Sequence, residues 1–271
     1  MTNTNQFIET KEYKRFAEFC DACIKYKYIG VCYGAPGVGK TLSSRHYTNW
    51  NKFGRLLDYR LLSQIEESVT SEILTANKLF CTAPAEKATK ISGDIRELGY
   101  KLSYGKAIYQ AKITNSDIDS SSIGDLEGVE LIIVDEIDRL KVQHLEQLRD
   151  IYDQNDLAMI FIGMPGIEKR LSRHPQLYSR IGFSHEFDKL SKDETHHILE
   201  YKWSELGISI KLEDFSDYEA ITSIIRITRG NFRLIHRLFA QIDRILEINQ
   251  LQSITVEVVE AARDSLVLGL K

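Results

Sequence analysis

Residues 34–41 read Gly-Ala-Pro-Gly-Val-Gly-Lys-Thr and directly follow the apolar run 28–33. Glycines let successive backbone N–H groups close around an anion, and a helix N-terminus beyond the turn faces the same anion with its positive dipole end. Residues 42–47 are compatible with such a helix. A strand, a glycine-rich turn and a helix in this order predict a phosphate-binding loop, whereas a bare glycine-rich turn needs neither flanking element.

The loop predicts a nucleotide site with ATP and Mg²⁺ as cofactors. We expect Lys40 to reach the β and γ phosphates as a point charge and to serve catalysis, and the Thr41 hydroxyl to ligate magnesium. The predicted nucleotide-binding residues along the loop and the first helical turn are Gly34, Ala35, Pro36, Gly37, Val38, Gly39, Lys40, Thr41 and Leu42.

Composition narrows the class of protein. At 271 residues the chain can bury a core without disulfides. No signal peptide and no apolar run of about 18 residues is visible, so we expect a cytoplasmic protein without a membrane partner. The net charge of −4 argues against a protein that coats nucleic acid by bulk charge, so any DNA contact must be local. Cys20 and Cys23 have metal or redox spacing, but the favoured interpretation is two cysteines on one helix face.

Strand and helix patterns alternate along the first part of the chain. The run 129–134, which is apolar without a break from Leu131 to Val134, is typical of a central parallel strand buried on both faces. The other predicted strands are 28–33, 79–83, 157–163 and 183–187, and the predicted helices are 9–27, 61–76, 86–110 and 142–155. We expect residues 49–54 to break the pattern, Gly93 and Gly99 to interrupt the third helix, and 115–128 to be a loop.

Only helical spacing recurs after Leu190, at 195–206, 218–228, 232–249 and 256–267. The predicted fold is therefore α/β, with a parallel five-stranded core sheet and a small C-terminal all-helical lid. The predicted domains are a lead-in helix within 1–27, a nucleotide-binding domain at 28–188 and the helical lid at 189–271.

Two carboxylates follow the strand 129–134. Asp135 is expected to hold magnesium, through water or the Thr41 hydroxyl, and Glu136 to orient and polarise the attacking water. The alternative is an acidic pair that caps the strand, with Asp138 and Arg139 as ordinary neighbours. Because Glu136 is not needed for nucleotide binding, it is the residue that argues for hydrolysis.

These motifs resemble an AAA+ ATPase: the phosphate loop, the strand that ends in Asp135-Glu136, and Arg-Gly-Asn-Phe-Arg at 229–233. More narrowly, the loop with Arg-His-Tyr after it, Asp-Glu-Ile-Asp-Arg-Leu at 135–140 and Ile-Gly-Met-Pro-Gly-Ile-Glu-Lys-Arg-Leu at 162–171 resemble the transposition regulators TniB, TnsC and MuB. The resemblance runs from about Tyr13 to the C-terminus.

The resemblance implies further site residues. The lid arginine that touches nucleotide in the family matches Arg233, and the alternative is an arginine at a helix start on the surface. The arginine that completes a neighbouring subunit's site matches Arg180, or else Arg173, and an arginine paired with a local carboxylate is an equal alternative. The polar residue that senses the γ phosphate is matched by Met164, which cannot do so.

The family also implies partners. Its members assemble with ATP on duplex DNA and grip the DNA backbone with residues before the Asp-Glu strand. The basic residues of this chain in that segment, whose alternative is a solvated helix face, are Lys87, Lys90, Arg96, Lys101 and Lys112.

The predicted function is an ATP-dependent, DNA-binding regulator of transposition. It would form a ring or helical filament of identical subunits on double-stranded DNA, without sequence specificity, and recruit or activate a transposase. ATP hydrolysis would release the assembly. The alternatives are a motor or loader ATPase that acts on a protein partner, of the replication-initiation or secretion type, and a nucleotide switch that barely hydrolyses.

Overall fold

The computed structural model describes residues 7–58, 61–84, 91–206, 208 and 215–266. In this part of the chain no helix is both long enough and apolar enough to cross a bilayer. Five parallel strands form one sheet, which confirms the predicted α/β class. The strands are β1 Ile29–Tyr33, β2 Lys78–Thr82, β3 Leu131–Asp135, β4 Ala158–Gly163 and β5 Ile181–Glu186.

The strand order is β2-β3-β4-β1-β5. Central β3 and β4 are buried along their whole length, as their unbroken apolar sequences predict, because helices cover both faces of a parallel sheet. The register pairs Ile133 with Ile160, and Phe161 with Val31. Since the strands are parallel, their carboxyl ends lie at one edge of the sheet, where ligands of open α/β sheets bind.

The helices alternate with the strands and then continue alone. They are α1 Lys11–Tyr26, α2 Lys40–Tyr47, α3 Trp50–Leu57, α4 Leu62–Ser68, α5 Ile91–Thr114, α6 Val142–Gln154, α7 Ile167–Leu171, α8 Pro175–Tyr178, α9 Lys192–Glu205, α10 Phe215–Thr228, α11 Phe232–Asn249 and α12 Val256–Asp264. The four long helical segments predicted after Leu190 correspond to α9 to α12.

The expected break at 49–54 is wrong, because α3 starts at Trp50 and runs through Gly54. Asn49 takes a left-handed conformation with φ 53°, which ends the preceding turn. Phe53 and Leu57 of α3 are almost completely buried, and this packing outweighs the low helix propensity of a single glycine. The predicted helix 61–76 is instead α4 followed by a 3₁₀ turn, Ser71–Thr75.

Helix α5 is continuous through Gly93 and Gly99, so the predicted interruptions are also wrong. Gly99 is buried, and a Cβ atom built on it would lie 1.7 Å from the backbone oxygen of Asp125. The loop before β3 therefore crosses α5 at a position where the helix has no side chain. The glycine allows a close approach rather than a break.

Contacts divide the chain into two compact units. The sheet unit comprises Arg15–Gly34 and Lys40–Glu186, and the helical unit comprises Met1–Lys14, Ala35–Gly39 and Phe187–Lys271. Each has its own apolar core. In the helical unit the Trp203 ring packs edge-on against Phe239, with 5.3 Å between ring centroids. The predicted domain boundaries after residues 27 and 188 stay a prediction.

We expect Gly99→Ala to destabilise the sheet unit although alanine is the better helix former. The Asp125 backbone oxygen cannot retreat as a flexible side chain would, so overpacking should cost about 1 to 3 kcal/mol. Thermal unfolding followed by circular dichroism should show a melting temperature lower by several degrees.

Gly93→Ala is the matched control, because Gly93 lies on an exposed part of the same helix. It should be neutral or stabilise the protein by up to about 1 kcal/mol. Equal melting temperatures for both variants would contradict the close-approach explanation for Gly99.

Candidate nucleotide site

The phosphate-binding loop lies between the end of β1 and the start of α2, as its sequence predicts. Gly37 and Gly39 have φ angles of 82° and 120°, which side-chain-bearing residues rarely adopt. The sequence therefore places glycine where this turn requires it. Lys40, the first residue of α2, donates from Nζ to the Gly34 carbonyl oxygen over 2.5 Å.

Thr41 and Asp135, the two predicted magnesium ligands, are brought together by the fold of the sheet unit. The Thr41 hydroxyl donates to Asp135 Oδ2 over 2.6 Å, and Asp135 Oδ1 accepts the Glu136 backbone N–H over 2.8 Å. Asp135 is only 3% exposed. Both of its oxygens are thus held in place at the carboxyl end of β3.

This pair fits Mg²⁺. Magnesium takes hard oxygen ligands and is usually bound through one or two protein groups, with phosphate and water completing its shell. Within the described ranges no group of three or more His, Cys, Asp or Glu side chains could hold a metal ion. Because magnesium keeps most of its coordination shell for phosphate and water, a hydroxyl and one carboxylate suit a cation that arrives with a phosphate ligand.

Glu136 has a left-handed backbone with φ 57°. Its carboxylate pairs with the Arg139 guanidinium, and Arg139 Nη1 also donates to the Ala83 carbonyl oxygen over 3.3 Å. Both side chains of the pair are more than 40% exposed. An exposed ion pair stabilises a conformation by only about 0 to 1 kcal/mol, so a ligand can release Glu136 at small cost.

The end of β4 is hydrogen-bonded to a polar side chain, Asp138, whose role sequence reasoning missed. Met164 is 40% exposed, and its backbone N–H donates to Asp138 Oδ2 over 2.8 Å. The Asp138 carboxylate therefore ties this strand end to the turn after β3. Its position three residues after Asp135 was the available sequence signal, although Asp138 was interpreted as an ordinary neighbour.

The tip of the phosphate loop, Ala35–Gly39, belongs to the helical unit and is hydrogen-bonded within it. Asn231 precedes α11, and its Nδ2 donates to the Pro36 carbonyl oxygen over 2.9 Å. The Arg233 backbone N–H donates to the Gly37 carbonyl oxygen over 3.0 Å. The Arg233 side chain is exposed, and its predicted contact with nucleotide stays a prediction.

Arg180 has a partner in its own subunit. Its guanidinium binds the Asp153 carboxylate through two hydrogen bonds, Nε to Oδ1 at 2.5 Å and Nη2 to Oδ2 at 2.7 Å, and this hydrogen bonding raises the pKa of Arg180. A trans-acting role would require this pair to open. Arg173, the second candidate, is exposed. Both roles stay predictions.

The predicted DNA contacts fall into three groups. Lys87 and Lys90 lie outside the described residues. Lys101 is 8% exposed and is bound to Glu97 at 2.7 Å and to the Leu57 carbonyl oxygen at 3.2 Å, so as placed it offers no ammonium to a phosphate. Arg96 and Lys112 reach solvent.

Their partners are exchangeable. Arg96 hydrogen-bonds Gln154 over 2.8 Å and lies 3.5 Å from an oxygen of the Asp125 carboxylate, while Lys112 donates to the Glu66 carbonyl oxygen. Because these contacts are exposed, they contribute little stability, and a phosphate could replace them.

The cysteine pair lies inside the sheet unit. Cys20 and Cys23 are fully buried in α1. Burial raises the pKa of Cys23 to about 12 and the pKa of Cys20 well above its usual value. Both thiols therefore remain protonated at neutral pH, and this state suits packing rather than metal or redox chemistry.

The chain is similar to known proteins over the regions that form the candidate site. Residues 23–171, more than half of the chain, match the AAA domain family. A Staphylococcus aureus relative described as a potential ATP-binding protein is 64% identical over 271 residues, which is 100% of both chains.

More distant similarities are of two kinds. The Mu-like prophage FluMu DNA transposition protein B of Haemophilus influenzae is 23% identical over 86% of this chain and 71% of its own length. The solved structure of the Aeropyrum pernix ORC2 protein in its ADPNP-ADP complexes has a TM-score of 0.60 and 16% identity, covering 97% of this chain and 70% of that chain. At this identity the structural likeness shows a shared fold. By the family match and the full-length relative, the chain belongs to the AAA domain family.

Proposed function

We propose that this protein is a Mg²⁺-dependent ATPase that assembles on double-stranded DNA when ATP is bound and regulates transposition. The observation that carries the ATPase part is the Thr41–Asp135 contact, which fixes a hydroxyl and a buried carboxylate 2.6 Å apart beside the phosphate loop. A bare glycine-rich turn would not need that carboxylate. The AAA domain match and the description of the full-length relative support ATP as the nucleotide.

Each residue has a role in this proposal. Lys40 exchanges the Gly34 carbonyl oxygen for β- and γ-phosphate oxygens, which are stronger acceptors because they are charged. Thr41 and Asp135 hold Mg²⁺, which when bound neutralises charge on the transferred phosphoryl group. Glu136, once released from Arg139, orients the attacking water. An arginine of a neighbouring subunit, Arg180 or Arg173, completes the site in the assembly.

The transposition part is supported by the FluMu DNA transposition protein B, whose similarity extends over 86% of this chain. DNA binding through phosphates is supported by Arg96 and Lys112, which lie on α5 with exposed, exchangeable partners. With a net charge of −4, the chain must concentrate such contacts locally. The partner would be a transposase, recruited or activated by the ATP-bound assembly and free to leave after hydrolysis.

A loader-type ATPase that acts on a protein partner is the second candidate. It would use the same fold, which this chain shares with the ORC2 structure over 97% of its length. The two candidates differ in salt response, because only binding to DNA phosphates releases condensed counterions.

Replacing Glu136 by Gln should leave ATP binding intact and lower kcat by about 100-fold or more, because the amide cannot polarise water as a carboxylate does. Phosphate release and equilibrium binding of ATP should be measured on the same preparation. ATP-bound assemblies on DNA should also live longer. Unchanged hydrolysis would remove Glu136 from its role.

The control for this variant is Glu130→Gln. Glu130 is exposed just before the opposite end of β3, so the same chemical change there should leave both kcat and ATP binding as in the wild type. A further variant, Lys40→Ala, tests the order of events and should abolish nucleotide binding and DNA assembly together. Assembly that persists in Lys40→Ala without bound ATP would contradict the proposed order of events.

DNA affinity in the presence of a slowly hydrolysed ATP analogue should fall steeply with salt, by about 0.9 log unit per log unit of salt for each phosphate neutralised. Arg96→Ala and Lys112→Ala should each reduce that slope by about 1. Fluorescence anisotropy with a labelled duplex between about 50 and 200 mM salt measures it.

Lys101→Met separates folding from DNA contact. It removes the ammonium that satisfies the Leu57 carbonyl oxygen, so it should lower the melting temperature while the salt slope stays that of the wild type. A flat salt response in the wild-type protein would exclude the DNA proposal and leave the loader-type candidate.

A further inference from the structure

The tip of the phosphate loop is fixed by its carbonyl groups. Pro36 O accepts from Asn231 Nδ2 and Gly37 O accepts from the Arg233 backbone N–H, at 2.9 and 3.0 Å. All of these residues belong to the helical unit. Two consecutive peptide groups of the loop are therefore held by the residues that begin α11.

Holding a carbonyl group also aims an N–H group. A peptide is planar, and in the trans form its C=O and N–H point in opposite directions. The peptide that carries Pro36 O ends in the Gly37 N–H, and the peptide that carries Gly37 O ends in the Val38 N–H. Both N–H groups therefore point away from α11, as successive donors of an anion-binding loop must.

Asn231 makes two contacts with one amide. Its Nδ2 donates to Pro36 O, while its Oδ1 accepts the Leu234 backbone N–H over 3.1 Å and caps α11. The opposite assignment of the two amide atoms would place donor against donor and acceptor against acceptor. Asparagine is thus used here for both of its functional atoms, whereas a cap alone needs only the oxygen.

The close fit of Gly37 points to the same contact. A Cβ atom at Gly37 would lie 2.6 Å from Asn231 Oδ1 and 2.9 Å from the Arg233 Cβ atom, and φ at Gly37 is 82°. The loop thus approaches Asn231 more closely than any side-chain-bearing residue would allow. This glycine serves the contact with α11 as well as the turn.

We propose that Asn231 is a positioning residue for nucleotide binding, because its amide holds the Pro36–Gly37 peptide with the N–H group directed at the phosphates. The inference rests on the proposed nucleotide site at residues 34–41. Backbone donors of such loops cradle the α and β phosphates, so ADP and ATP depend on Asn231 alike. A residue that sensed the γ phosphate would favour ATP alone.

Asn231→Ser tests the inference. Serine is as good a helix cap as asparagine, but its single hydroxyl oxygen, which caps α11 at the Leu234 N–H, cannot also occupy the Nδ2 position that reaches Pro36 O. The melting temperature should stay that of the wild type, while the dissociation constants of ATP and ADP rise about five-fold, the usual worth of one net hydrogen bond. Isothermal titration of Mg-ATP and Mg-ADP into the full-length protein measures both.

Asn231→Ala separates the cap from the loop contact, because alanine removes both. It should melt at a lower temperature than Asn231→Ser and bind nucleotide at least as weakly. If Asn231→Ser binds ATP and ADP as the wild type does while Asn231→Ala is impaired, Asn231 is only a helix cap and the inference is overturned. Weaker ATP binding with unchanged ADP binding would overturn it as well.

The second loop contact offers an independent test if position 231 tolerates no change. Arg233→Ala keeps the backbone N–H that reaches Gly37 O, whereas Arg233→Pro removes it, and proline is tolerated in the first turn of a helix. Arg233→Pro should bind ADP about five-fold more weakly than Arg233→Ala. Equal affinities would contradict the role of the loop carbonyl groups.

The wild-type titration keeps the two proposals apart. If the wild-type protein bound neither Mg-ATP nor Mg-ADP, the proposed nucleotide site itself would be wrong. If the wild-type protein binds both and Asn231→Ser binds them equally well, only the role of Asn231 fails.

Discussion

The parallel arrangement of the buried sheet is the constraint on which the candidate site depends. Helices cover both faces of β3 and β4, so the side chains of these strands are apolar until the strands end. Their carboxyl ends lie at one edge, and there the chain changes from apolar residues to Asp135 at the end of β3 and to the phosphate loop after β1. The Thr41–Asp135 contact follows from this alignment, because α2 begins where β1 releases the loop.

Residues whose role follows from local backbone chemistry could be predicted from the sequence. The glycines at positive φ, the five strands and the helices of the C-terminal part are of this kind, because periodicity and turn chemistry act over a few residues. The roles of Gly54 and Gly99 within continuous helices could not be predicted in this way. Whether a glycine ends a helix or admits a neighbour depends on what packs against it, and the Asp125 backbone that crosses α5 is distant in sequence from Gly99.

Basic residues illustrate the same limit at the surface. A run of lysine and arginine before β3 suggested one exposed face, yet Lys101 turns inward to the Leu57 carbonyl oxygen while Lys112 stays in solvent. The sequence does not show which way a charged side chain points until the helix register and its neighbours are known. Arg180 shows this for a single residue, since its predicted role needs an available guanidinium and the fold provides Asp153 as a partner.

The contact between Asp138 and Met164 has a consequence for how the end of β4 can vary. The carboxylate binds the main chain of residue 164, not its side chain, so the hydrogen bond is indifferent to side-chain identity there. Every amino acid except proline supplies that N–H group. A methionine at this position, where a polar side chain was expected, is therefore compatible with a fixed strand end. The contact requires an aspartate at position 138 but no particular side chain at position 164.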